Sequence, residues 1–201
     1  DAAKAAHVTV DAKTHYPAAC NAIETLLVHK DAVASVLPGV GDALAKAGVS
    51  LRADETCLPH LPAEATTPAT EADFGYEFLS LTLAVRVVDD VAAAVEFINT
   101  HGSHHTDAVV CEDAAVASFF LANVDSAGVY HNASTRFADG FRYGLGAEVG
   151  ISTNRVHARG PVGLEGLTIY KYRLYGSGQG AGDFGVGEGQ RAYTHKTLVG
   201  A

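Results

Sequence analysis

The sequence contains no methionine and no tryptophan, only three cysteines, and 14 basic residues against 23 acidic ones. Each shortage excludes something. At a formal net charge of −9 and with no basic run, the chain lacks the positive surface that nucleic acid requires, so no such partner is expected. No apolar stretch approaches the ~20 residues that span a bilayer, so no membrane partner is expected either. Cys20, Cys57 and Cys111 are scattered and give neither an even disulfide framework nor a zinc spacing. They fit a reducing compartment, and the expected location is cytoplasmic, with a mitochondrial one left open. Without an initiator methionine or a signal-peptide pattern, the chain reads as a piece of a larger protein or a processed one.

What is present is a globular composition. Apolar residues make up 48% of 201, enough for one sizeable core. Strand-like runs alternate with helical patterns. His7 to Ala12 alternates like a short strand, and Pro17 to Glu24 reads as the first turns of a helix, where proline is tolerated. Thr25 to His29 reads as a strand, and Asp31 opens a helical stretch to about Ala47 that Gly48 stops and that Pro38 and Gly39 break or kink. Val49 to Arg52 is a strand, 59–72 a loop, and Leu79 to Val88 a strand. Asp90 to Thr100 is an amphipathic helix with Val91, Val95 and Ile98 on one face. A strand at Ala108 to Cys111, a helix at Asp113 to Asn123 and a strand from Gly128 to Tyr130 follow. Strands separated by helices of this length argue an α/β fold with a largely parallel sheet flanked by helices. The alternating run 168–174 reads as an exposed edge strand, and 176–189 as a glycine-rich loop or tail.

Four features bear on chemistry. Cys20, placed at a helix start, would face free backbone N–H groups that favour the thiolate and hold an oxyanion; the alternative is a buried structural cysteine. Arg136 and Arg142 flank Asp139-Gly140, and a guanidinium there suits a carboxylate or phosphate ligand, or an ion pair with Asp139. His101, His104 and His105 lack an acidic or cysteine partner at metal-site spacing and read as a turn, so no metal is expected. Gly176 to Ala181 fits Gly-x-Gly-x-x-Ala but has no helix after it, so it reads as loop rather than a dinucleotide site.

The segment Tyr16 to His29, around Cys20, resembles the nucleophile segment of gamma-glutamyl phosphate reductases. These are the glutamate-5-semialdehyde dehydrogenases of proline biosynthesis, in the aldehyde dehydrogenase superfamily. Segments His101 to Asp107, Asn132 to Gly140 and Gly144 to Thr153, the last continuing to Leu167, match in the same order, so the resemblance covers about residues 5 to 173. It implies an aldehyde-dehydrogenase-like catalytic domain at 1–167, an edge strand with oligomer contacts and a glycine-rich tail at 168–201, and a cofactor-binding domain upstream, with a bifunctional pyrroline-5-carboxylate synthase as one setting for it. It implies Cys20 as nucleophile and Asn132, Ser134, Thr135 and Arg136 as substrate-binding. Glu77, otherwise a solvated loop carboxylate, matches a glutamate that in aldehyde dehydrogenases bonds the nicotinamide ribose. Arg159 is left as structural. The implied reaction is NADPH-dependent reduction of gamma-glutamyl phosphate by a homo-oligomer. The rivals are another semialdehyde dehydrogenase, or a catalytic half that is inactive without its cofactor domain.

Overall fold

A computed structural model describes residues 1–194; residues 195–201 of the expected tail lie outside the described residues. The chain divides into two units, Asp1–Thr168 and a second that begins at Ile169.

The first unit opens with a helix, α1 (Ala2–Thr14), and not with a strand. Asp1 caps it by accepting from the Lys4 N–H at 2.9 Å, and the alanine-rich start favours helix. Thr9, Ala12 and Lys13 are its buried residues, a helical spacing that overrides the local β-branched alternation. After a loop comes β1 (Thr25–His29), then a 3₁₀ turn and α2 (Val33–Lys46), which runs through Pro38 without stopping. Asp31 is not its cap: the residue before α2 is Ala32, with no side-chain cap bond. The far end is as expected. Gly48 takes φ +81°, the Gly48 N–H reaches Ala45 O and the Val49 N–H reaches Leu44 O, which closes the last turn.

Next come β2 (Ser50–Ala53) and a segment expected to be loop that nevertheless contributes β3 (Thr66–Pro68). β3 lies at the sheet edge, where Pro68 is tolerated. The remainder is β4 (Thr82–Val88), α3 (Val91–His101), β5 (Thr106–Val109), α4 (Ala114–Asn123) and β6 (Gly128–His131). Asp90 and Asp113 cap the two helices through side-chain bonds to Ala93 N, and to Ala115 N and Val116 N. All the strand pairs are parallel: β1-β4-β2-β3 form one sheet and β5-β6 a second.

The main core joins α2 to the first sheet through Leu37, Leu44, Leu51, Leu83 and Val85, with Ala5, Ala6 and Val10 of α1 against it. A smaller cluster, Val95, Phe120 and Val124, joins α3 and α4. From 139 to 168 the chain is turns, bends and one short 3₁₀ segment, Leu164–Leu167.

Residues 168–174, all but the first of which belong to the second unit, form no strand with any described residue, contrary to the alternating pattern. A strand exists only through ladder bonds to a neighbour, and this run has none. Ile169, Tyr172 and Leu174 are almost fully exposed. The glycine-rich stretch forms a 3₁₀ turn at Ala181–Asp183 and a single bridge between Phe184 and Arg191.

Candidate active site

Cys20 lies in a run of turns between α1 and β1 rather than at a helix start, so it does not face the free N–H groups of a first helical turn. Ala19 N bonds Tyr16 O at 3.1 Å and Ala22 N bonds Ala19 O at 2.9 Å, which closes consecutive turns around the cysteine. The base of the loop is tied to α1. Ile23 N donates to Ala12 O at 3.1 Å, and Lys13 Nζ donates to Ile23 O at 2.9 Å and to Glu24 Oε2 at 2.6 Å. The Lys13 side chain is 0% exposed, so this ion pair is shielded on the lysine side. The other oxygen of Glu24 accepts from Leu79 N, which fastens the loop to the segment before β4. Cys20 itself is exposed, which excludes the buried structural alternative.

The side of the loop is held by the 3₁₀ turn Thr135–Phe137. Thr135 Oγ1 donates to Asn21 O at 2.6 Å, Asn21 Nδ2 donates to Ala138 O at 2.7 Å, and Arg136 Nη1 donates to Asn21 Oδ1. Arg136 Nε also donates to His15 Nδ1 at 3.3 Å, and its guanidinium sits 5.9 Å from the Tyr16 ring centre. Ser134 starts this turn, its Oγ accepting from Arg136 N. Of the residues expected to bind substrate, Ser134, Thr135 and Arg136 are buried; Thr135 and Arg136 bond to the cysteine loop, while Ser134 serves as the cap of their turn. Asn132 does not join them. It takes φ +56° and spends its amide on Cys111, accepting from Cys111 N and donating to Cys111 O.

Two carboxylates act on the thiol. Partial burial of the sulfur pushes the Cys20 pKa above the ordinary thiol value; Glu148 adds to that and Glu77 adds less, while the Arg136 charge pulls the other way. Glu148 and Glu77 also act on His105, whose pKa burial lowers. Cys20, Glu77, His105 and Glu148 thus share one electrostatic neighbourhood. Glu148 was not singled out in the sequence, although it lies in the matched segment Gly144 to Thr153. It is placed by Gly140: a Cβ there would run into the Ala147 carbonyl, and Gly140 N donates to Glu148 Oε2 at 3.4 Å. Cys20 precedes β1, Glu77 precedes β4 and His105 precedes β5, so all three stand where strands begin. A largely apolar cavity of about 700 Å³ is lined by Cys20, Glu77 and Thr135 and extends along β1 and β5.

The remaining candidates have structural partners. His104 Nδ1 bonds Asp125 O, His105 Nδ1 bonds Thr106 Oγ1, and His101 packs on Phe97. Among the described residues no group of His, Cys, Asp or Glu converges as a metal site. Arg142 pairs with Asp139 at 3.0 Å, and Arg159 with Asp125 at 3.0 Å. Cys57 is buried, and burial, with Asp54 beside it, pushes its thiol up to about 12. No described helix is long and apolar enough to cross a membrane.

An exposed thiol on a doubly braced loop beside a cavity is an arrangement suited to nucleophilic attack on a bound acyl group. No family model matches the chain. Individual proteins do. Over 98% of its length the chain is 55% identical to gamma-glutamyl phosphate reductase 1 of Synechocystis, of which it covers 45%. The crystal structure of gamma-glutamyl phosphate reductase from Thermotoga maritima superposes with a TM-score of 0.81 at 42% identity, over 89% of this chain and 44% of that one. An acetylating aldehyde dehydrogenase from Geobacillus thermoglucosidasius shares the fold at a TM-score of 0.55 and 18% identity, over 89% of this chain and 50% of that one. The fold is aldehyde-dehydrogenase-like, and the resemblance to gamma-glutamyl phosphate reductases runs along nearly the whole chain. The chain spans about 45% of the length of the curated relatives it matches.

Proposed function

We propose that this chain is the nucleophile-bearing half of an enzyme that reduces gamma-glutamyl phosphate to glutamate 5-semialdehyde in proline biosynthesis. The observation that carries this reading is Cys20, exposed at the apex of a loop braced from two sides, inside the stretch that matches the reductases. As thiolate, Cys20 adds to the acyl carbon, the C–O bond to phosphate breaks, and phosphate leaves. The acyl group stays on the sulfur as a thioester. After reduction at that carbon, the C–S bond breaks, the aldehyde departs and the thiolate is restored. The N–H groups of Ala19 and Ala22 are spent on turn bonds, so the backbone N–H of Cys20 itself is the proposed oxyanion donor.

NADPH, when bound, supplies the hydride. The described residues offer it little. Gly176 to Ala181 leads only into the 3₁₀ turn Ala181–Asp183, too short to present a phosphate-binding helix start, so Glu77, beside Cys20, is this chain's own proposed contact, to the ribose. In this reading Ser134, Thr135 and Arg136 back the cysteine loop on the substrate side. Asn132 sets the turn that brings them there. The exposed run 168–174, which pairs with no described residue, carries the alternation with which a second copy would complete a strand pair, giving a homo-oligomer.

Two measurements test the reading. Calorimetry on these 201 residues should show no NADPH binding at micromolar concentrations, and the residues alone should give no turnover. Joined to a nicotinamide-binding domain from a relative, they should oxidise glutamate semialdehyde in the presence of phosphate and NADP⁺. Cys20→Ser should abolish that turnover. Full activity in the Cys20→Ser protein would remove the thioester route.

A further inference from the structure

Asn21 stands beside Cys20 and is buried. Its backbone carbonyl, its amide oxygen and its amide nitrogen all meet one turn more than a hundred residues away, through Thr135, Arg136 and Ala138. The geometry fixes which way the amide points. Its oxygen faces the guanidinium, a donor only, and its nitrogen faces a carbonyl, an acceptor only. Aspartate could satisfy Arg136 but not Ala138, and leucine could satisfy neither. Thr135 is 1% exposed and Arg136 is 8% exposed, so neither group can turn to water instead.

We propose that Asn21 is a positioning residue. The 135–138 turn grips it to hold the Cys20 thiol at the loop apex, and Arg136 serves that grip rather than the substrate. This rests on the reading of Cys20 as nucleophile. Among the described residues Arg136 has no carboxylate hydrogen-bond partner; its Nε and Nη1 end on His15, where the cysteine loop begins, and on Asn21, just past Cys20. The same guanidinium is the cationic influence on a thiol that Glu148 and Glu77 otherwise disfavour as thiolate. Position and charge are therefore delivered through one contact.

The test pairs an activity-free readout with a kinetic one. In this chain, the iodoacetamide rate at Cys20 is followed across pH in Asn21→Ala, Thr135→Val and Thr135→Ser. Asn21→Ala and Thr135→Val should slow alkylation near neutral pH by about threefold or more, which is about half a pH unit in the thiol midpoint. Thr135→Ser, which keeps the hydroxyl donor, should match the parent. In the two-domain enzyme, the first two variants should lower kcat by about tenfold to a hundredfold, as expected for a nucleophile misplaced by about 1 Å. KM for the acyl substrate should stay within about twofold. A raised KM with kcat retained, in Thr135→Val or Arg136→Lys, would place these groups on the substrate and overturn the proposal. Equal alkylation in Thr135→Val and Thr135→Ser would also overturn it. Should Asn21→Ala fail to fold, the Val and Ser pair at Thr135 decides alone. An enzyme without acyl-phosphate chemistry would refute the proposed reaction and leave the alkylation series to judge the grip.

Discussion

At the scale of single residues, Cys20 combines exposure with an unfavourable field. All three thiols are raised above their ordinary pKa, Cys57 most, and only Cys20 is exposed. Limiting iodoacetamide should therefore label Cys20 first, Cys111 next and Cys57 last, which peptide mapping would show. The influence of Glu148 can be isolated. A carboxylate disfavours a neighbouring thiolate, so Glu148→Gln should lower the Cys20 pKa and raise its alkylation rate near neutral pH several-fold. An unchanged pH profile would remove Glu148 from the site. Cys20 could be picked out as a candidate from the sequence because its flanking residues are distinctive, and the structure leaves it exposed. Its surroundings were not legible there, since Asn21 and Arg136 meet across 115 positions and no local pattern records that.

At the scale of elements, punctuation was readable wherever a single residue type has one backbone use. Asp90, Asp113 and Gly48 mark helix ends as their chemistry requires. Gly48→Ala should cost about 1 kcal/mol in urea denaturation, since φ +81° suits glycine and strains a Cβ. The misread elements are those where tertiary contacts prevail over local preference. The β-branched run in α1 is helical because its buried face meets the core and because Lys13 finds Glu24. The loop at Cys20 is a loop because that same pair and the Asn21 contacts hold it open. Lys13→Met should destabilise the fold by roughly 1.5–3 kcal/mol, the usual worth of a charge-assisted hydrogen bond, since the Glu24 left behind is partly exposed and keeps its bond from Leu79 N. Because the pair anchors the loop, Cys20 alkylation in that variant should lose its advantage over Cys111. The run 168–174 carries the alternation of a strand but lacks a partner within the described residues, so its pattern alone could not make it one.

At the scale of the whole molecule, the α/β class and the parallel pairing followed from the alternation of strands and helices, but the division into two sheets did not. Both β1 and β5 are edge strands in their own sheets, and the cavity runs along both. The core is correspondingly uneven, with the main cluster far larger than the one at Val95, Phe120 and Val124. Native-state hydrogen exchange should show β5 and β6 opening at lower free energy than β2 and β4. Leu44→Ala, by emptying a site in the larger cluster, should cost about 2–5 kcal/mol of global stability. The parallel arrangement has one more outcome. Because Cys20 and Glu77 sit where β1 and β4 begin, the turns at the far ends of those strands are removed from the chemistry. β4 is seven residues long, so Asp89, just beyond it, lies about 20 Å along the strand from the Glu77 side. Asp89 is exposed, and Asp90 behind it retains its own cap bond to Ala93. A short peptide tag grafted between Asp89 and Asp90 would thus occupy a permissive site, a handle for immobilising the protein with its reactive thiol left untouched.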